Sequence, residues 1–172
     1  PDLSNAGNRL SDGYIKMSLE KPHIVMPESI MPKQVINKKT TQLLQSFLKM
    51  QKDSNASGQA NYFNLVENQP YEVDELYIAN CSVCHGPSGA GDGYNAKYLP
   101  VPPGNLSDSE EISQRADDTL YETLYGGGRI MKKHHFMPSW GLKLSHKEIV
   151  YLVNKIRKLC DCDSPNWSEN KK

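Results

Sequence analysis

Cys81 and Cys84 stand two residues apart, and His85 follows the second directly, in the run Cys81-Ser82-Val83-Cys84-His85. Two thiols at this spacing reach the two vinyl groups of one haem and form thioethers, and the adjacent imidazole then meets the iron from the same side. The same positions could instead form a redox-active dithiol or half of a zinc site. Zinc would want two more ligands at similar short spacing, and Cys160 and Cys162 are a poor match. A thioredoxin-like dithiol would sit in an alternating α/β pattern, which is absent. The expected chemistry is therefore covalent attachment of one haem c, with thioethers at Cys81 and Cys84 and His85 as proximal iron ligand. The sixth ligand must come from Met131, Met137, His134, His135 or His146. Methionine sulfur raises the iron potential and a second imidazole lowers it. Met137 precedes Pro138 and the last helix, on a loop free to approach the opposite haem face. His134 and His135 read as exposed polar groups beside a basic loop.

Three helices must position these groups. Val73, Leu76, Tyr77 and Asn80 fall at helical spacing behind an acidic first turn of Glu72, Asp74 and Glu75, and this helix runs into Cys81. A long stretch rich in Gly and Pro follows, from Gly86 to Gly104. Asp117-Asp118-Thr119 opens a second, short helix with Leu120, Tyr121 and Leu124 facing inward, and Gly126-Gly127-Gly128 is expected to stop it. Ser145 caps the last helix, with Glu148 completing a capping box. Its apolar stripe is Ile149, Leu152, Val153, Ile156 and Leu159, and Lys155, Arg157 and Lys158 lie in its last turns. Loops this long are unusual in a small domain, and a large apolar cofactor at the centre removes the objection. No strand signal is convincing.

Several runs together carry a family resemblance: Cys81-Ser-Val-Cys-His-Gly86, Gly89-Ala-Gly91-Asp-Gly93, Pro102-Pro103-Gly-Asn-Leu106, Met137-Pro-Ser-Trp140 and Leu144-Ser-His-Lys-Glu148. Residues 71–160 resemble class I monohaem cytochromes c, most of all the cytochrome domains of haem–copper oxidases and related periplasmic dehydrogenases. The resemblance implies an all-α class I cytochrome c fold around one covalent haem, with His85 proximal and Met137 distal. It implies a proline carbonyl, of Pro102 or Pro103, accepting the imidazole N–H, and Tyr98 and Trp140 lining the pocket or reaching the propionates. One departure is Val73, where the family usually has a glycine at the crossing of the first and last helices.

The first 52 residues form a separate arm. His23-Ile-Val-Met-Pro27-Glu-Ser29-Ile-Met31-Pro32 precedes a helix expected over Thr40–Lys52, with Leu43, Leu44, Phe47 and Leu48 on one face. This resembles the back half of a second cytochrome c domain, although no C-x-x-C-H precedes it. Met31 would ligate a second haem only if one exists, its cysteines lying before Pro1. The alternatives are a haem-less docking or dimerisation arm, or an unrelated Pro-rich arm. Residues 53–70, with the small polar run Asp53-Ser-Asn-Ala-Ser-Gly-Gln59, read as a linker, and residues 161–172 as a polar C-terminal tail. Cys160 and Cys162 read as surface cysteines oxidised to each other.

The 172 residues carry 20 Lys plus Arg and 20 Asp plus Glu, so formal net charge is zero. This balance argues against nucleic acid and against a polybasic membrane binder as functions. Apolar residues make up 37%, and the mean hydropathy is −0.64, a modest core that leans on a cofactor or partner. No stretch approaches the roughly 18 apolar residues of a spanning helix. No basic, apolar leader opens the chain, so any signal peptide or anchor is expected to be already removed or outside it.

The expected function is electron transfer by haem cycling between Fe(II) and Fe(III). The expected place is a periplasm or equivalent lumen, where haem attachment occurs and a disulfide persists. Expected partners are a redox donor and acceptor, in a membrane or multi-subunit complex, with no small-molecule substrate. Arg129, Lys132 and Lys133 would steer an acidic partner. A competing reading is a haem enzyme with an open distal site for peroxide, nitrite or nitric oxide, using His134 or His135 as acid–base group. Another is a structural or redox-sensing subunit that interacts through residues 1–52.

Overall fold

Helices and loops make up all of the described structure, a computed structural model covering residues 3, 6–27, 29, 31, 36–52, 72–131 and 133–168. The helices are α1 (Ala6–Arg9), α2 (Asp12–Glu20), α3 (Pro22–Val25), α4 (Lys38–Met50), α5 (Glu72–Asn80), α6 (Ser82–His85), α7 (Ser109–Ser113), α8 (Asp117–Ile130) and α9 (His146–Cys160). The linker expected at 53–70 lies outside the described residues, as do Lys132 and the last four residues of the tail.

The core forms where α5, α8 and α9 bring their apolar stripes together. Tyr77, Leu120, Tyr121, Leu124, Ile149, Leu152, Val153 and Ile156 are buried in one cluster, and Leu159 packs against it. These are the inward positions that helical periodicity selects. The capping box of α9 is formed: Ser145 Oγ accepts from Glu148 N, and the Glu148 carboxylate accepts from Ser145 N at 2.7 Å. Val73 is buried where a glycine was usual. Helices α5 and α9 remain in contact, with Lys155 Nζ 2.8 Å from Asp74 Oδ1.

As expected, the second helix breaks at the glycine triplet: Gly127 leaves helical geometry (φ 74°, ψ 174°), and a further short turn, counted here within α8, runs on to Ile130. A Cβ at Gly127 would stand 2.7 Å from Ser139 N and 2.9 Å from Met137 O. The glycine is therefore demanded by a close approach of two backbones as well as by its left-handed φ.

The cysteine pair differs in part from expectation. Cys160 and Cys162 are disulfide-bonded, with Cα atoms 5.2 Å apart. Cys160, however, is buried in the core cluster and is not a surface residue. Beyond the disulfide, the described part of the tail returns to α8. Ser164 Oγ accepts from Asp117 N (3.1 Å), and Ser168 is buried.

In the arm, helix α4 covers most of the predicted span, but its apolar face points outward. Leu43, Leu44, Phe47 and Met50 are exposed while Thr41 is buried. The arm is not a detached unit. The Arg9 guanidinium pairs with the Glu122 carboxylate of α8. Ser11 Oγ caps α2 and lies 2.6 Å from Asp118 Oδ2.

Candidate functional site

The site begins where α5 runs into α6. Cys81 N donates to Tyr77 O (2.8 Å) and His85 N to Cys81 O (2.9 Å), so both cysteines and the histidine lie on consecutive helical turns. Tyr77 Oη donates to Gly86 O at 2.8 Å and pins the end of this segment to α5. Cys81 and Cys84 are both free thiols. Burial pushes the Cys81 thiol up to about 11, with the neighbouring Cys84 adding to the effect. Burial also holds His85 below the usual imidazole range, against the opposing effect of its hydrogen bond to the Gly104 carbonyl.

His85 Nδ1 lies 3.0 Å from Gly104 O. A carbonyl can only accept, so Nδ1 carries the proton and Nε2 keeps its lone pair. The acceptor is thus Gly104 and not Pro102 or Pro103. The physical reason lies at Gly91 (φ 80°), where a Cβ would stand 2.7 Å from Pro103 O. The Pro103 carbonyl faces the Gly91 turn, and the next carbonyl is the one presented to the imidazole. Gly91 N in turn donates to His85 O at 2.8 Å, closing the loop onto α6.

The Met137 loop is tethered to the C-terminal half of α8. Gly128 N donates to Met137 O (2.9 Å), Trp140 N to Leu124 O (3.0 Å) and Gly141 N to Tyr125 O (3.0 Å). Ser139 Oγ donates to the same Tyr125 carbonyl at 2.7 Å. Met137 is half-buried and packs against the core cluster, to which Trp140 belongs. In this loop His135 is exposed and His134 half-buried, their rings 4.4 Å apart and both against Phe136. Met131 is buried, and His146 stacks on Tyr125 at 5.4 Å. Tyr98 is exposed beside Tyr94, with Lys97 Nζ 4.9 Å from its ring. Met31 is exposed, its backbone N donating to Ser29 Oγ.

These donors fit a c-type haem. Two reduced thiols on one helical segment adjoin an imidazole whose second nitrogen is already engaged, which fixes the ring for iron at Nε2. Among the described residues no group of three or more His, Cys, Asp or Glu side chains could hold a metal ion, so the zinc alternative finds no ligand set there. Three participants were not anticipated from sequence. Gly104 had a signal, since it follows the two candidate prolines directly. Tyr125 had one as well, four residues beyond Tyr121 on the same helical face. Arg9 had none, because its partner Glu122 is 113 residues away.

A family model described as "Cytochrome C oxidase, cbb3-type, subunit III" matches residues 68–154. No curated protein and no solved structure matches the chain.

Proposed function

The chain belongs to the cytochrome c oxidase, cbb3-type, subunit III family, and from that premise we propose that it serves as a haem-bearing electron-transfer subunit of an extracytoplasmic respiratory chain. Haem-based electron transfer through a covalently bound haem c is the family's general property. The respiratory setting, the periplasmic location and the roles of individual residues are our reading. When bound, the haem supplies one-electron exchange between Fe(II) and Fe(III).

In this reading Cys81 and Cys84 would hold the haem through thioethers, and His85, through Nε2, and Met137 would be the iron's protein ligands. The observation that carries the reading is the His85 Nδ1 contact with Gly104 O on the same segment as two free thiols. That contact holds the ring in one tautomer and one orientation, so the ligand need not rearrange when the charge on the site changes. The backbone tethers from α8 restrain Met137 in the same way. A site whose ligands stay in place between two oxidation states opposes electron transfer with little reorganisation. Expected partners are a redox donor and a redox acceptor, in a multi-subunit assembly. No described helix is long and apolar enough to cross a membrane.

The test is the absorption spectrum of the oxidised holoprotein into the near infrared, with and without cyanide. A sulfur-to-iron charge-transfer band with slow cyanide binding supports the assignment, and Met137→Ala should abolish the band. A high-spin wild-type spectrum with rapid cyanide binding would overturn the simple carrier. It would direct attention to His134 and His135 as acid–base groups at an open iron.

A further inference from the structure

The loop that carries Met137 depends heavily on one residue of α8. Of the four tethers, two end on the carbonyl of Tyr125, one from Ser139 Oγ and one from Gly141 N. The ring of the same residue lies on Gly141 from the other side, since a Cβ there would stand 2.6 Å from two ring carbons. Tyr125 therefore grips Gly141 with both its main chain and its side chain, and the placement of its ring sets the placement of the loop.

The surroundings of that ring are defined. His146 stacks on it at 5.4 Å and 7°, and Tyr121 at 6.0 Å and 12°. The Tyr121 hydroxyl is hydrogen-bonded to His146 Nδ1, which ties the two stacking partners together. A cation completes the arrangement, with Arg9 Cζ 5.7 Å from the ring centroid. A guanidinium at this distance is attracted to an aromatic face, more strongly when it is removed from water. Arg9 is buried, and Glu122, one turn before Tyr125 on α8, pairs with it. The guanidinium is thus fixed relative to the helix whose ring it covers.

We propose that Arg9, in the N-terminal arm and outside the residues matched by the family, is a positioning residue for the Met137 loop and acts through Tyr125. The inference rests on the reading of Met137 as an iron ligand. It assigns to the arm a role inside the redox site: a cation delivered from residues 1–52 holds the ring that holds the loop. No contact between Arg9 and the haem is required.

The full-length oxidised holoprotein tests it, using the near-infrared sulfur-to-iron band and the rate of cyanide binding. Arg9→Ala should keep covalent haem and helical content, weaken the band and bind cyanide about tenfold faster, the scale on which outer partners of metal ligands act. Arg9→Lys, which returns a cation to the ring, should recover most of both signals. Should Arg9→Ala fail to fold, Arg9→Met, which keeps the stem without the charge, is judged by the same criteria. A cyanide rate within about twofold of wild type and an unchanged band would overturn the inference. Equal impairment in the Ala and Lys variants would overturn it too, because the charge would then be irrelevant. If wild type lacks the band, or Met137→Ala retains it, the ligand reading itself fails and the inference falls with it. A band lost in Met137→Ala but intact in Arg9→Ala removes the inference alone.

Discussion

His85 and its carbonyl partner show how much a single hydrogen bond depends on residues that never touch the imidazole. The Gly104 carbonyl meets Nδ1 only because the Pro103 carbonyl is turned toward the Gly91 backbone. Two glycine-to-alanine changes separate these roles. A Cβ at Gly104 meets nothing within 4 Å, so Gly104→Ala should leave stability and potential near wild type. A Cβ at Gly91 combines a positive φ of 80° with the 2.7 Å approach to Pro103 O. Backbone strain of about 1–2 kcal/mol follows from the φ alone, and the clash displaces the Gly104 carbonyl from His85. Gly91→Ala should lower the melting temperature of the holoprotein by about 5–10 °C. It should also raise the midpoint potential, because an imidazole that loses its acceptor is a poorer donor to iron. Thermal melts and redox titration of the two variants side by side check both outcomes. The covalent haem was legible in the sequence because the C-x-x-C-H run writes its chemistry in residue type and spacing. The choice of Gly104 over Pro102 or Pro103 was not. It depends on which way successive carbonyls point, and nothing in residue identity records that.

At the scale of elements, periodicity located α5, α8 and α9 because their inward residues are buried by one another. Leu120, Tyr121 and Leu124 meet Ile149, Leu152, Val153 and Ile156 in a single cluster. Burying such stripes is the largest favourable term in a small helical domain. The cap of α9 was legible because its reciprocal contacts are local, between Ser145 and Glu148 three residues on. The break at Gly126–Gly128 was legible because a glycine run after a helix usually supplies a C-cap. That the chain resumes in a further turn, at a kink that lets α8 lie against the Met137 loop, was not. Gly127→Ala would combine a non-glycine residue at φ 74° with a Cβ 2.7 Å from Ser139 N. The conformational penalty alone is about 1–3 kcal/mol, and the three contacting atoms, of Met137, Pro138 and Ser139, are all backbone. The expected result is a less stable holoprotein that has also lost much of its sulfur-to-iron band. A variant that melts earlier but keeps the full band would show that Gly127 serves folding and not the loop. The outward direction of the α4 face was not legible, because periodicity identifies the apolar stripe but not the side on which α1 and α2 pack.

For the whole molecule, the joint between the arm and α8 links stability to pH. Asp118 is buried, and one of its carboxyl oxygens, Oδ1, has no hydrogen-bond partner among the described residues. Burial pushes its carboxyl up to about 7, the hydrogen bonds from Ser11 oppose this, and the Asp117 and Glu122 charges add to it. Arg9 from α1, the α2 cap Ser11, Tyr14 from α2 and Glu122 from α8 meet at this joint. Burial also raises Glu122, with Arg9 working against it. An acid whose folded value stands above its unfolded value of about 4 holds its proton more tightly in the fold. Its contribution is fully present below about pH 4 and is lost as pH rises through about 7. Each tenfold gain in proton affinity is worth about 1.4 kcal/mol, so the loss is at most a few kcal/mol. Burial lowers His146, which acts in the opposite sense: it favours the fold above its ordinary value and costs stability as pH falls. The carboxyl effect should therefore be clearest on the neutral side, where His146 is uncharged in both states. Urea unfolding of the holoprotein should show a midpoint that falls between about pH 6.5 and 8. Asp118→Asn, which preserves the shape and a hydrogen bond to Ser11 without a titrating proton, should remove most of that slope. A wild-type midpoint that is level or rises over this range would mean that Asp118 is ionised in the fold, and that the joint is more open to water than its burial indicates.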